Sequence, residues 1–336
     1  MTIFSTSLHR SATFKRRALG TALTVLLTAL TFSLPVAAQS NITRLIVAFP
    51  PGGPVDFVAR TLAETLGKEL GHQVIVENKA GGNGAIAAEF VTRSVYDGNT
   101  LWLTSVGAIA INPSLYEKLA YNPERDFAPV SLVVNNVEVL VVNASSPFAN
   151  GADLVAASRV PGSKPLAMAS SGTGSVPHLA MELLNDAAKI NLLHVPYKGA
   201  APAITDVMAG HVTGFFGDIP GLISYINSGK LKALGIAAPK RHPLLPNVKT
   251  FNEMGLPGVD SDNWYALFAA KGTPTPELDR VNQAVRRTLN NAEVRARLQA
   301  SGAEPSPSTP AELAALLSRD SAKWARLITT KNIKPN

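Results

Sequence analysis

The sequence predicts an α/β protein of two lobes with a cleft between them, and three observations carry that prediction. Short β-branched runs alternate with amphipathic segments, which is the pattern of parallel strands joined by helical crossovers. A long apolar stretch, Val130–Asn143, interrupts the alternation before a second α/β series begins. Glycine-, proline- and serine-rich loops follow several of the strands, where open α/β sheets bind ligands.

Ile42–Phe49 reads as a strand, and Val55–Leu70 as a helix with Phe57, Val58, Leu62, Leu66 and Leu70 at helical spacing. Val74–Glu77 is a second strand, Ala85–Val95 a helix and Leu101–Thr104 a third strand. This βαβαβ series implies a parallel sheet with right-handed crossovers. After Val130–Asn143 come helices near Ala152–Ser158, Val176–Asn185, Ala201–Ala209 and Gly221–Ser228. Strands at Leu166–Ala169, Asn191–Val195, Thr213–Phe216 and Ala233–Ala237 alternate with them. An irregular passage, His242–Pro257, leads to a strand at Tyr265–Ala269, and the tail is helical over Glu277–Gln299 and Ala311–Thr330. The simplest division makes residues 39–142 plus 262–336 one lobe and residues 143–261 a second, inserted lobe. Two crossovers would then form a hinge. Two consecutive independent domains would share the same periodicity.

Residues 1–38 read as an export signal to be set aside before folding. Arg10, Lys15, Arg16 and Arg17 precede an apolar run, Ala18–Leu34, and Val36-Ala37-Ala38 gives a small-residue cleavage site. Removing the segment changes the charge. Four of the 31 basic residues and none of the 24 acidic ones lie in it, so 27 remain against 24, a net +3. That balance argues against nucleic acid or a polybasic membrane surface as partner. The chain has no cysteine, which excludes disulfides and lipid attachment through a thiol. A soluble periplasmic monomer is the expectation.

Four loops are placed to meet a ligand. In the first, Phe49 to Asp56, Gly52 and Gly53 let the backbone approach closely, and the following helix start favours an anion. Phe49, Pro51, Gly52, Gly53 and Asp56 are its candidates, although Asp56 equally suits support of the helix start. The loop lacks the Gly-Lys-Ser/Thr ending of a phosphate-binding P-loop. The second, Lys79–Gly84, is as well explained by a turn capped at Asn83. The third, Ser170, Ser171, Gly172, Thr173, Gly174 and Ser175, concentrates hydroxyls and backbone N–H groups at a helix start, a cradle for a carboxylate without a cationic side chain. Ser175 also suits an N-cap. The fourth set is His194–Gly199 and Phe216–Pro220, where Tyr197 and Asp218 are candidates, Asp218 equally suiting a cap on the following helix, and Lys198 is expected to be solvated. Ser105, at the end of the third strand, completes the set. His178 reads as a packing residue.

Serine, histidine and aspartate together raise the possibility of a hydrolase, but no Gly-x-Ser-x-Gly elbow follows a strand. With no cysteine and no His-Glu-x-x-His, zinc chemistry has no support. No catalytic residue, metal or cofactor is expected. A sensor presenting its closed form to a signalling partner would use the same loops.

Several segments carry a family resemblance. They are Phe49-Pro50-Pro51-Gly52-Gly53 with Asp56 and Arg60, Val76–Gly84, Asn122–Val130, Val195–Gly199 and Ser228–Leu234. In this order they resemble the exported receptors of tripartite tricarboxylate transporters, the Bug proteins, over about Ile42 to Trp324. The resemblance implies a two-lobed periplasmic-binding-protein fold of the Venus flytrap, type II-like kind. It implies an organic-acid ligand held mainly by backbone groups and water from Phe49–Asp56 and Ser170–Ser175, and a two-component membrane permease as partner. The family often has Asp-Asn-Leu-Pro where this chain has Gly217-Asp218-Ile219-Pro220, so Asp218 is the position where its ligand contacts depart.

Overall fold

The computed structural model describes residues 42–335, so the expected signal peptide at 1–38 lies outside the described residues. Two mixed sheets, each covered by helices on both faces, share one long strand. The first sheet runs β2 (Val74–Asn78), β1 (Thr43–Val47), β3 (Thr100–Ser105), β9 (Asp262–Ala270), β4 (Phe127–Asn143), with the two-residue β10 (Glu304–Pro305) also on β4. β1 is parallel to β2 and β3, and β9 is antiparallel to β3 and β4. In the second sheet β4 lies between β8 (Leu231–Ile236) and β7 (Gly214–Asp218), followed by β5 (Ala167–Ser170) and β6 (Leu193–Pro196).

β4 changes partners within two residues. Val137 is the last to pair with β9, opposite Asp262, and Glu138 is the first to pair with β7, opposite Asp218. The chain returns beside this point, where the Ser261 N–H donates to the Ala237 carbonyl at 3.0 Å and β9 begins at Asp262. The apolar run of β4 therefore has a simple cause: most of its side chains are buried, on both faces, in two successive cores. β9 begins three residues before the expected Tyr265. Asp262 and Asn263 have poor strand propensity, and pairing with β4 overrides it.

The helices that position the site follow strands directly. They are α1 (Pro54–Leu70), α2 (Ala85–Thr92), α3 (Gly151–Ser158), α4 (Val176–Ala188), α5 (Ala200–Ala209) and α6 (Ile219–Asn227); α7 (Thr275–Asn290), α8 (Ala292–Ser301) and α9 (Pro310–Lys331) form the tail. α1 starts at Pro54, whose missing N–H is harmless in a first turn, and ends at Gly71 in the left-handed conformation. It buries Val55, Val58, Leu62 and Leu66 against the first sheet, while Phe57 and Leu70 are only partly covered. Truncating Leu62 or Leu66 to alanine in such a core costs about 2–5 kcal/mol. A buried π turn, Gly107–Ile111, follows β3 and had no signature in the sequence.

Candidate functional site

Two neighbouring chambers lie where the lobes meet. The first spans about 490 Å³ of space between the lobes, including the part open to solvent. Its walls come from Phe49, Gly53, Pro54 and Val55 of one lobe and Ser171, Ser175, Val176 and Pro177 of the other. Ser105, Tyr265, Glu138, Asn263, Phe215 and Asp218 add strand residues, and Ala200 and Ala201 begin α5 beside them. The second chamber shares Phe49, Pro50 and Ser171 and is lined by Gly81–Gly84, Gly172, Thr173, Tyr197 and Lys198. The lobes approach closely through glycines. A methyl at Gly199 would stand 2.8 Å from Pro50 Cδ, and one at Gly221 2.6 Å from Pro54 Cγ.

In the first lobe the loop is held from behind. Asp56 accepts from the Gly52 N–H at 3.0 Å, from Arg60 Nε at 2.9 Å and from Asn78 Nδ2 at 2.9 Å. Asn78 Nδ2 also donates to the Phe49 carbonyl. Burial works to raise the Asp56 carboxyl, but these bonds outweigh it and hold the group below the ordinary carboxylate range. Asp56, Pro51 and Gly52 line neither chamber; Phe49 and Gly53 do.

The second-lobe loop is held in the same way by different chemistry. The Gly174 N–H donates to His178 Nδ1 at 3.1 Å, and Ser170 Oγ lies 2.6 Å from His194 Nε2. The two imidazoles stack at 3.7 Å with their planes 4° apart. Burial, with a contribution from His194, lowers His178 to about 3, and burial lowers His194 to about 4. Both rings are therefore neutral at physiological pH. His178 is a packing residue that also fixes the loop. Ser170 is fully buried and, like Gly174, lines neither chamber, whereas Ser171, Gly172, Thr173 and Ser175 do.

Ser175 occupies the N-cap position of α4, but its hydroxyl donates to the Gly172 carbonyl at 2.6 Å and caps no helix N–H. Gly53 and Gly199, at the corresponding positions of α1 and α5, have no side chain to cap with. Three helices thus bring uncapped first turns to one chamber. Each carries a partial positive charge and free N–H donors, the usual requirements for holding an anion. Among the described residues, no lysine, arginine or histidine lines this chamber.

The sequence reasoning missed Glu138 and Asn263. Asn263 Nδ2 donates to Asp218 Oδ1 at 2.7 Å and to Glu138 Oε1 at 3.1 Å, joining three strands. Burial and the neighbouring Asp218 push Glu138 well above the carboxylate range, and burial raises Asp218 to about 6. A lone acid in the 17-residue apolar strand was the available signal for Glu138; Asn263 had none. Tyr197 lines the second chamber, while its hydroxyl donates to Asp206 Oδ2 at 2.6 Å.

Comparison with known proteins agrees with this architecture. Residues 58–333 match the family model described as the TctC tripartite tricarboxylate transporter family receptor. The chain is 34% identical over 307 residues to the protein BugT of Bordetella pertussis, covering 89% of this chain and 93% of BugT. It is 36% identical over 292 residues to a Pseudomonas sp. (strain P51) protein from the tcbD–tcbE intergenic region, covering 87% and 86%. Among solved structures, the periplasmic binding protein BugD superposes with a TM-score of 0.83 at 32% identity, covering 88% of this chain and 99% of BugD. MatC of Rhodopseudomonas palustris with bound malate gives 0.81 at 33%, covering 88% and 100%. An adipate-bound protein of R. palustris gives 0.84 at 30%, covering 90% and 100%. With its two α/β lobes and a chamber between them, this chain belongs to the tripartite tricarboxylate transporter receptor family.

Proposed function

We propose that the protein is a periplasmic receptor that captures a small carboxylate-bearing molecule between its lobes and presents it to a two-component membrane permease. The observation that carries this reading is the convergence of three uncapped helix starts on one chamber formed by both lobes. Gly53, Ser171 and Ser175 lie where backbone N–H groups and hydroxyls would receive the carboxylate; Phe49 and Tyr265 supply apolar wall. We place the lobe boundary inside β4, between Val137 and Glu138, and at the return near Asp262, so that both crossings adjoin the ligand. Closure is favoured by whatever extra affinity the ligand has for the closed form.

The malate and adipate bound by two relatives support the carboxylate class. Catalysis has little to work with. Ser170, which touches a histidine, is fully buried away from both chambers, and among the described residues no cluster of three potential metal ligands occurs. We take the chain to be a binder without turnover, acting as a monomer.

The test is a thermal-shift screen of the chain from Gln39 onward against organic acids. An acid at a hundred times its dissociation constant adds about 2.7 kcal/mol to stability, a clear rise in melting temperature. Binding that weakens only slightly with salt is expected, because no cationic side chain lines the chamber. Absence of any shift, in a preparation whose denatured sample releases no small acid on mass spectrometry, refutes the reading.

A further inference from the structure

We infer that the ligand is a zwitterion: beside its carboxylate it carries a protonated nitrogen with N–H donors, received by Glu138, Asp218 and Asn263. This inference rests on the receptor reading and specifies its substrate class.

Glu138, Asp218 and Asn263 are 0%, 6% and 5% exposed, and all three line the first chamber. The Asn263 amide spends its Nδ2 on the two carboxyl groups, which leaves Asn263 Oδ1 and Glu138 Oε2 buried without a donor from the protein. Buried acceptors without donors are costly, and native proteins rarely keep two together without use. A proton held between the two acids relieves their mutual repulsion, consistent with the raised affinity of both for protons, and leaves the group with one negative charge. It does nothing for Asn263 Oδ1.

Charge then selects the partner. With no basic side chain lining the chamber, a second ligand carboxylate would meet two buried acids and no counter-charge. An ammonium group brings three donors and one positive charge, which matches the orphaned oxygens and the residual charge together. The helix starts of α1, α4 and α5 supply the complementary environment for the ligand's own carboxylate within the same chamber. A dipolar ligand satisfies both sets of groups at once.

The experiment is calorimetry on the chain from Gln39 onward with three series of matched length at pH 7. These are the ω-amino acids from β-alanine to 6-aminohexanoate, the dicarboxylates from malonate to adipate, and the monocarboxylates from propionate to hexanoate. One amino acid is expected to bind at least tenfold more tightly than the dicarboxylate and the monocarboxylate of its length. Its N-trimethyl analogue, which keeps the charge but lacks N–H donors, should lose most of that advantage. E138Q and D218N should each weaken the amino acid at least tenfold relative to the dicarboxylate of its length. Dicarboxylates or monocarboxylates binding as well as the amino acids in the wild-type protein overturn the inference and leave the receptor reading standing. No binding by any series, in ligand-free protein, overturns both.

Discussion

The loops that face each other across the cleft are built to one plan with opposite chemistry. In each, the third residue of a helix accepts a hydrogen bond from the glycine N–H four positions earlier: Asp56 from Gly52, and His178 from Gly174. Asp56 is a carboxylate held ionised by Arg60 and Asn78, whereas His178 is a neutral ring stacked on another. A carboxylate at a helix start cancels part of the positive end of the dipole; a neutral imidazole leaves it available. The two loops share a geometry, held in one lobe by an ion-paired carboxylate and in the other by a neutral ring.

The largest expected effect lies in the glycines. Gly52 and Gly174 both have left-handed backbones, at φ 80° and 77°. A methyl at Gly52 meets nothing within 4 Å, while one at Gly174 overlaps Leu115 Cδ2 of the opposite lobe. Gly174→Ala should therefore cost about 3 kcal/mol in urea unfolding, strain plus overlap, and impair ligand binding. Gly52→Ala should cost about 1 kcal/mol from strain alone. Equal losses would break the comparison.

Next come the acceptors. Asp56→Ala strands three donors and should cost about 2 kcal/mol, since bonds to a charged group exceed neutral ones. Arg60 is more than half exposed, so Arg60→Ala should cost less than about 1 kcal/mol. If both lose the same amount, the ion pair rather than the loop N–H is what Asp56 serves.

The last difference is one of pH dependence. His178 falls from an ordinary 6.5 to about 3 on folding, so below pH 6.5 the unfolded chain binds a proton that the native ring refuses. Its contribution to stability is complete above pH 6.5 and declines as pH falls toward 3, by about 2 kcal/mol at pH 5. Asp218 works the other way. Raised to about 6, it takes up a proton in the native state first and adds stability as pH falls from 6 toward 3.8, which offsets part of the loss at the buried histidines. His178→Gln removes only the first contribution, and its unfolding free energy should hold up better than wild type between pH 6.5 and 5. Asp56, lowered on folding, keeps its contribution throughout that window and loses it only as pH falls below the ordinary carboxylate range. Parallel pH profiles for wild type and H178Q would show that the ring is not buried neutral.

Much of this was legible in the chain because it is local. Glycines after strands, a serine-rich turn before Val176 and the apolar spacing of α1 each declare themselves within a dozen residues. What local reading cannot settle is direction. Ser171 and Ser175 reach the chamber while Ser170 turns toward His194, and the residues alone do not distinguish them. Asp56 looked like a ligand contact or a support, and the geometry gives it the support. Glu138, Asp218 and Asn263 come together only through the register of three strands far apart in sequence. No pattern on any one strand announces that meeting.

The central place of β9 has a consequence for how the molecule is made. β9 fills the gap between β3 and β4, so the first sheet is not continuous until residues beyond the whole second lobe have joined it. Until then the inner edges of β3 and β4 expose unpaired backbone flanked by apolar side chains such as Trp102 and Leu103. Such edges invite pairing with other chains. The first lobe should consequently fold late and slowly, with a high contact order, and nascent chains cut short before Asp262 should aggregate rather than yield a stable half.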